Sequence, residues 1–356
     1  MKPLIVEDID FVLEELAAAY DTLRNQRIFI TGGTGFFGCW LLETLLAANA
    51  QRQLGVKLTV LSRDPAAFAQ RVPYLGSNPD VTWVRGGILD LSTDFVARQL
   101  GKAWRGDAVI HLVTEANLGA TAATPLNAMD VIVEGTRRAL DFATTAGAKR
   151  FLFTSSGAVY GRQPGEVTAI PETFSAAPET TDLTSAYGAA GNAKRYAELL
   201  CAAYAKQRGL ETVIARCFTF VGPHLPLGSK FAVGNFLEDA LHARDLIVKG
   251  DGTPVRSYMY AADLTVWLLT LLARGTAGRA YNVGSEHAVS IRELAEQVRA
   301  VSGKRLQVTV LGQTEPGKPL DRYVPSIRRA TEELELTQKI SLPTALERTL
   351  RWLGNA

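Results

Sequence analysis

The chain predicts a doubly wound parallel α/β sheet with a smaller C-terminal lobe, and three observations carry that reading. Strand-like and helix-like runs alternate from residue 27 to residue 216, which implies parallel strands joined by crossover helices on both faces. Two of the runs, VIHLV and RFLFTS, are almost wholly apolar, as expected of central strands covered on both sides. Residues 31–38 read TGGTGFFG, after the β-rich run Arg27 to Ile30 and before a helical pattern from Trp40 to Ala48. Gly32, Gly35 and Gly38 keep side chains out of that turn, so the backbone can approach a pyrophosphate at a helix N-terminus. It is the placement between strand and helix, more than the glycines, that gives the pattern weight.

The elements follow in order. Ile9, Val12, Leu13, Leu16, Ala19, Tyr20 and Leu23 have helical spacing, so residues 1–26 predict an accessory helix. Strands are expected at 27–31, 57–61, 81–84, 108–113, 150–154 and 211–216. Helices are expected at 38–49, 92–100, 126–147 and 192–208, and residues 27–216 read as a dinucleotide-binding domain. Beyond 216 the texture changes, with Pro223, Pro226, Gly228, Gly234, Gly250, Gly252 and Pro254 punctuating it. Helical patterns return at 232–243, 262–273, 290–302 and 343–353. Residues 217–356 thus read mainly as a substrate-binding lobe, with segments returning to the first domain.

Composition narrows the class. Of 356 residues, 47% are hydrophobic and 21% charged, with a net charge of +2, which gives no reason to invoke nucleic acid or an anionic membrane. No apolar run is long enough to span a bilayer. Glu7, Asp8, Asp10, Glu14 and Glu15 break any secretion-signal core, so a cytoplasmic location is expected. Cys39, Cys201 and Cys217 sit in apolar patterns and read as buried thiols. His111 and His224 lack zinc-ligand spacing, and no metal site is expected.

Further motifs recur in order: His111 in VIHLV, TSSGAVYG at 154–161, SAYG at 185–188, KRYAE at 194–198, ARCFTFVGP at 215–223 and GDGTPVRSYMYAADL at 250–264. With the glycine turn, this set resembles the extended short-chain dehydrogenase/reductase family, in its nucleotide-sugar epimerase/dehydratase branch. The resemblance runs from about residue 27 to the C-terminus. It implies a Rossmann-type sheet, a retained NAD or NADP and a nucleotide-sugar substrate. It also implies a homodimer paired through helices 126–147 and 192–208.

The resemblance assigns roles residue by residue. Tyr187 is the base on the sugar hydroxyl, Lys194 lowers its pKa and binds nicotinamide ribose, and Ser156 steadies the reacting oxygen. A phenol with a reference pKa of ~10 needs a nearby positive charge to act as a base at neutral pH. Cofactor contacts are implied at Gly32, Thr34, Gly35, Phe36, Phe37, Gly38, Ser62, Arg63, Ile88, Leu112, Val113, Thr114 and Lys194. Ser62 stands where NAD-preferring relatives carry an acid, and Arg63 suits a 2′-phosphate, which leans toward NADP. Asp64 is an alternative ribose ligand. Gly87 replaces the acid of the adenine-contacting motif, with Asp90 the nearest carboxylate. Substrate contacts are implied at Glu115, Ser156, Thr219, Asn235, Arg256 and Arg322, with Arg256 on the diphosphate.

The chain departs from the family at its Tyr-x-x-x-Lys pattern. Tyr187 and Lys194 are seven apart, roughly 10 Å of helical rise against about 6 Å for a spacing of four. Either three residues are inserted, or Lys194 fixes the register and Ala190 fills the tyrosine slot. Gly188, Gly191 and Asn192 favour a local break or bulge, with Asn192 capping a helix that begins at Lys194. Gly157 and Ala158 stand where related 4,6-dehydratases carry Asp-Glu, which favours epimerisation or simple oxidation–reduction. Three readings follow. The first is an NAD(P)-dependent nucleotide-sugar epimerase or related oxidoreductase acting by hydride transfer at C4. The second is an NADPH-dependent keto-sugar nucleotide reductase, or a dehydratase. The third is a non-catalytic dinucleotide-binding protein with a degenerate Tyr–Lys site.

Overall fold

The computed structural model describes residues 1–113, 125–181, 188–228, 231–315, 317 and 319–354. All six expected strands form: β1 (Arg27–Thr31), β2 (Lys57–Ser62), β3 (Val81–Arg85), β4 (Ala108–His111), β5 (Arg150–Ser156) and β6 (Glu211–Cys217). Short strands follow: β7 (Phe220–Val221), β8 (Leu246–Val248), β9 (Val255–Ser257) and β10 (Met259–Tyr260). A seventh member of the main sheet, β11 (Arg279–Val283), then pairs in parallel with β6. Its five residues follow the helical pattern expected at 262–273, in a stretch that reads from sequence as part of the C-terminal lobe. The small β12 (Ala288–Ser290), β13 (Val308–Val310) and β14 (Arg322–Tyr323) complete the set.

The main sheet runs in the order β11-β6-β5-β4-β1-β2-β3. Every neighbour in it is parallel. The chain moves outward from β1 to β3, then returns to start again at β4. Ligands of such sheets bind where the winding reverses, outside the carboxyl ends of β1 and β4.

Side chains of the central strands alternate between two cores, as the strand period of two requires. Ile28, Ile30, Ile110 and Leu152 enter one core, while Phe29, Val109, Phe151 and Phe153 enter the other. The first core packs against α1 (Val6–Glu15), α2 (Tyr20–Leu23) and α3 (Phe36–Arg52). The chain continues through α4 (Pro65–Arg71), α5 (Pro73–Gly76) and α6 (Thr93–Leu100). The second core packs against α6, α7 (Pro125–Thr145) and α8 (Gly188–Arg208). The later helices are α9 (Ala232–Leu241), α10 (Ala261–Arg274), α11 (Ile291–Ser302), α12 (Arg328–Leu334) and α13 (Leu342–Gly354).

Two local expectations are corrected. The single accessory helix is three pieces, α1, a 3-10 turn at Ala17–Ala19 and α2. Its buried Asp8 accepts from Tyr260 Oη at 2.5 Å and from Arg348 Nη1 at 2.8 Å, tying the segment to α13 and β10. The break near Asn192 does not form, because α8 is continuous from Gly188. Asn192 does not cap a helix at Lys194; its Nδ2 donates to Gly188 O at 2.9 Å within the helix and to Glu179 O at 3.2 Å. Gly191 serves packing, since a Cβ there would lie 2.7 Å from Ala158 O and from Pro178 Cγ.

Candidate active site

The turn between β1 and α3 has the form the glycines predict. Gly32 has φ +72°, and a Cβ on it would sit 3.0 Å from both Leu112 C and Val113 N. That conformation and that space suit glycine alone. A Cβ at Gly38 would fall 2.3 Å from Gly33 C and O, so the helix rests directly on the turn. The N-terminus of α3 carries no side-chain cap, because the residue in the N-cap position is Gly35. Its first-turn N–H groups and positive dipole end face the switch point. These features fit the pyrophosphate of a dinucleotide. Thr34 O accepts from Arg71 Nη2 at 2.7 Å, which adds a cation beside the turn.

The flanking cofactor candidates are distributed around this cradle. Phe36 and Phe37 begin α3, and Phe37 packs edge-on against Phe220 at 5.1 Å between centroids. Ser62 ends β2 and is buried, while Arg63 is exposed beside it. Asp64 Oδ1 accepts from Ala67 N at 3.0 Å and caps α4. Asp90 is likewise engaged, accepting from Gly87 N at 2.9 Å. Ile88 is buried beneath α7 beside Gly135. Leu112 and Val113 leave the end of β4. Thr114 and Glu115 lie outside the described residues.

The proton-transfer candidates gather at the carboxyl end of β5. Period-two alternation separates its two terminal serines. Ser155 Oγ turns toward α8 and donates to Glu198 Oε1 at 2.6 Å. Ser156 Oγ accepts from Ala158 N at 3.2 Å and stands 3.4 Å from Tyr323 Oη. Lys194 is 4% exposed. Its Nζ donates to Thr154 O at 2.8 Å and lies 4.6 Å from the centre of the Phe153 ring. Burial pulls the Lys194 pKa down to about 8, partly opposed by Cys217, Cys201 and Glu198. Tyr187, the expected base, lies outside the described residues. Ala190, the other occupant of the tyrosine register, is helical and one turn before Lys194.

A polar network behind the serines went unforeseen. Glu198 receives Arg216 Nη2 at 2.6 Å and Arg216 Nε at 3.0 Å. Arg216 Nη1 donates to Tyr160 Oη at 2.8 Å, and Tyr160 Oη donates to Asn282 Oδ1 at 2.7 Å. The chain thus crosses β5, α8, β6 and β11. The only local signal for it was the four-residue spacing of Lys194 and Glu198 in KRYAE. His111 belongs to the scaffold. It is fully buried, with Nδ1 at 2.7 Å from Thr31 Oγ1 and Nε2 at 3.2 Å from Thr136 Oγ1. Burial, with Lys194 nearby, lowers its pKa to about 3.

Besides Glu115 and Ser156, the expected substrate residues come from the C-terminal part. Arg256 sits on β9, where Nη2 pairs with Asp321 Oδ2 at 2.7 Å and Nη1 donates to Asp321 O at 3.0 Å. Arg322 begins β14, half-buried, and its Nε has no hydrogen-bond partner among the described residues. Thr219 precedes β7 and accepts through its carbonyl from Met259 N at 3.0 Å. Asn235 lies in the first turns of α9, half-buried. Tyr323, on β14, is the residue at this site that the motifs did not single out. Among the described residues no acid, histidine or thiol cluster could hold a metal ion, and no helix is long and apolar enough to cross a membrane.

Comparison with known proteins places these features in context. A sequence model described as the NAD dependent epimerase/dehydratase family matches residues 28–284. UDP-glucuronic acid decarboxylase 1 of Arabidopsis thaliana is 29% identical over 91% of this chain and 69% of its own. UDP-glucose 4-epimerase of Thermotoga maritima, solved with UDP-glucose, aligns over 92% of this chain and 99% of its own. Its TM-score is 0.78 at 22% identity, a likeness of fold. A dTDP-glucose 4,6-dehydratase of Streptomyces venezuelae, solved with NAD, has a TM-score of 0.75 at 26% identity, over 92% of this chain and 97% of its own.

Proposed function

The chain belongs to the NAD dependent epimerase/dehydratase family, and from that premise we propose that it is a nucleotide-sugar 4-epimerase acting on a UDP-sugar. The observation that carries the reading is Lys194, an ammonium buried at the carboxyl end of β5, at the strand end that carries Ser156. A buried cation beside the switch point is an expensive feature to keep unless it acts on a ligand. The bound dinucleotide supplies hydride removal and return at the sugar carbon. Tyr187 takes the C4 hydroxyl proton, Lys194 keeps that phenol acidic enough to do so, and Ser156 steadies the oxygen. Arg256 and Arg322 hold the diphosphate, and Glu115, Thr219 and Asn235 line the sugar and nucleotide. Residues 217–356 supply most of this substrate lobe.

Arg63, exposed at the end of β2, and Asp64, committed to its helix cap, favour NADP over NAD. Gly157 and Ala158 offer no acid next to Ser156 for a dehydratase. A second reading is decarboxylation of UDP-glucuronic acid, favoured by the Arabidopsis relative. Oxidation at C4 would place a ketone β to the sugar's carboxylate, and such an acid loses carbon dioxide readily.

The test incubates the purified protein with UDP-glucose or UDP-glucuronic acid, each with NAD or NADP, and reads products by NMR. A C4 epimer with no net change in reduced cofactor is the expected result. Carbon dioxide and a UDP-pentose would establish the second reading. Stoichiometric consumption of added reduced cofactor with a keto-sugar nucleotide would make the chain a reductase. Conversion of neither UDP-sugar would reject both proposed activities.

A further inference from the structure

Residues 2–5 precede the stretch that the family model matches and lie before the first helix. They dock on a buried polar cluster. Leu4 N donates to Glu43 Oε1 at 2.6 Å, and Trp352 Nε1 donates to Pro3 O at 2.8 Å. Tyr74 Oη stands 3.1 Å from Lys2 O, 2.9 Å from Glu43 Oε2 and 3.2 Å from His224 Nε2. The Trp352 ring lies 4.9 Å from that of His224 and 5.5 Å from Lys2 Nζ. Glu43 belongs to α3, the helix that opens at the glycine turn, and Tyr74 to α5, whereas His224 follows β7 and Trp352 lies in α13. The segment therefore joins the helices around β1 and β2 to the C-terminal part of the chain.

These hydrogen bonds cannot all be made at once, because the Tyr74 phenol has one proton and three neighbours able to accept it. With Glu43 ionised, its carboxylate takes that proton and Lys2 O goes without. With Glu43 protonated, the carboxyl donates to Tyr74 Oη, and the phenol proton is free for Lys2 O. Leu4 N keeps Glu43 Oε1 in either state.

Burial raises the Glu43 carboxyl to about 7, against the opposing hydrogen bonds from Leu4 N and Tyr74. The other titratable groups of the cluster are Cys39 on α3, Lys2 on the segment, Arg71 and Tyr74 on α4 and α5, and His224. Burial holds the Cys39 thiol at about 12, keeps Tyr74 above its usual range and pushes His224 down to about 4, so these three stay neutral from pH 5.5 to 8.5. Released to water, the Glu43 carboxyl returns to its ordinary 4.5. Between that value and 7 the docked segment holds a proton that the released one has lost, so docking weakens as pH rises through 7.

We infer that residues 2–5 are a proton-controlled clasp that holds His224 and α13 against α3 and α5, with Glu43 as its titrating group and Tyr74 as the hydroxyl that passes the change to Lys2 O.

Hydrogen–deuterium exchange of the Leu4 amide in the full chain tests this, read by mass spectrometry of N-terminal peptides and corrected for the intrinsic pH dependence of exchange. Protection is expected to fall by about tenfold or more from pH 5.5 to 8.5, while amides of β4 keep theirs. Glu43→Gln, whose amide donates to Tyr74 Oη as the protonated carboxyl does, is expected to hold the pH 5.5 protection at both values. Wild-type protection that ignores pH overturns the inference. An equal loss in β4 overturns it by making the opening global, and a Glu43→Gln variant that keeps the wild-type pH dependence overturns it by passing the titration to Lys2. Where Glu43→Gln fails to fold, Tyr74→Phe decides: protection at pH 5.5 is expected to drop about five- to tenfold for the lost hydroxyl, and unchanged protection overturns the inference.

Discussion

At the scale of single residues, Lys194 shows how much chemistry one burial event can set. Removing an ammonium from water disfavours its charged form, and its pKa falls to about 8. Between pH 8 and the ordinary lysine range the unfolded chain therefore binds more protons than the folded one. Stability should rise with pH across that window, as the burial penalty on the charge is relieved. Urea unfolding from pH 7.5 to 10, expressed as the difference between wild type and Lys194→Met, is expected to show this slope; a flat difference would contradict it. Turnover should follow the opposite course and decline above about pH 8, because only the ammonium supports a phenolate. Lys194→Met is expected to be inactive at all pH values while still retaining dinucleotide, checked by the absorbance of the purified protein. The two serines make the same point by direction. Ser155 is committed to Glu198, which leaves Ser156 as the hydroxyl that faces the cleft.

At the scale of elements, the β1–α3 turn and the start of α8 behave differently from each other although glycines mark both. In the turn, glycine permits a positive φ and lets helix and loop touch. Gly38→Ala forces a methyl into Gly33 and is expected to cost about 1–3 kcal/mol of stability. Loss of retained dinucleotide should accompany it, read by unfolding and by absorbance of the denatured supernatant. In α8, Gly191 does not break the helix; it lets the helix lie against Ala158 and Pro178. The buried Glu198–Arg216 pair joins α8 to β6 just below the site. Glu198→Ala leaves a guanidinium uncompensated and is expected to cost about 3–5 kcal/mol in urea unfolding. A change below about 1 kcal/mol would show that water reaches Arg216 freely.

For the whole molecule, the helices α7 and α8 pack side by side and leave an apolar outer face. Leu126 on α7 is 76% exposed and Leu199 on α8 is 65% exposed, with Tyr196 at 47% and Met129 at 37%. Grouped apolar side chains of this kind mark an association surface. We propose that two copies pair there as a four-helix interface. Light scattering after gel filtration is expected to give a dimer mass, and Leu199→Glu a monomer; a monomeric wild type would refute the proposal. The strap at 322–326 and the seventh strand work at the same scale. Both return the C-terminal third to the Rossmann-type sheet, so the lobe that carries Arg256 and Tyr323 is bound to the strands that carry Ser156.

The sequence by itself determined the sheet, its winding, the glycine cradle and the identity of Lys194 and Ser156 as residues of interest. The sheet, its winding and the glycine cradle are written in short periods, alternation by two and by three to four residues and a turn within eight, so local reading reaches them, whereas Lys194 and Ser156 stand out through the family resemblance of their motifs. Tertiary structure alone decided that β11 joins the main sheet, that Glu198 and Arg216 close a network behind Ser155, and that Tyr323 stands over Gly157. Each of these brings together groups from distant stretches of chain. No periodicity records which loop returns to which strand, because the pairing is settled by packing over the whole molecule.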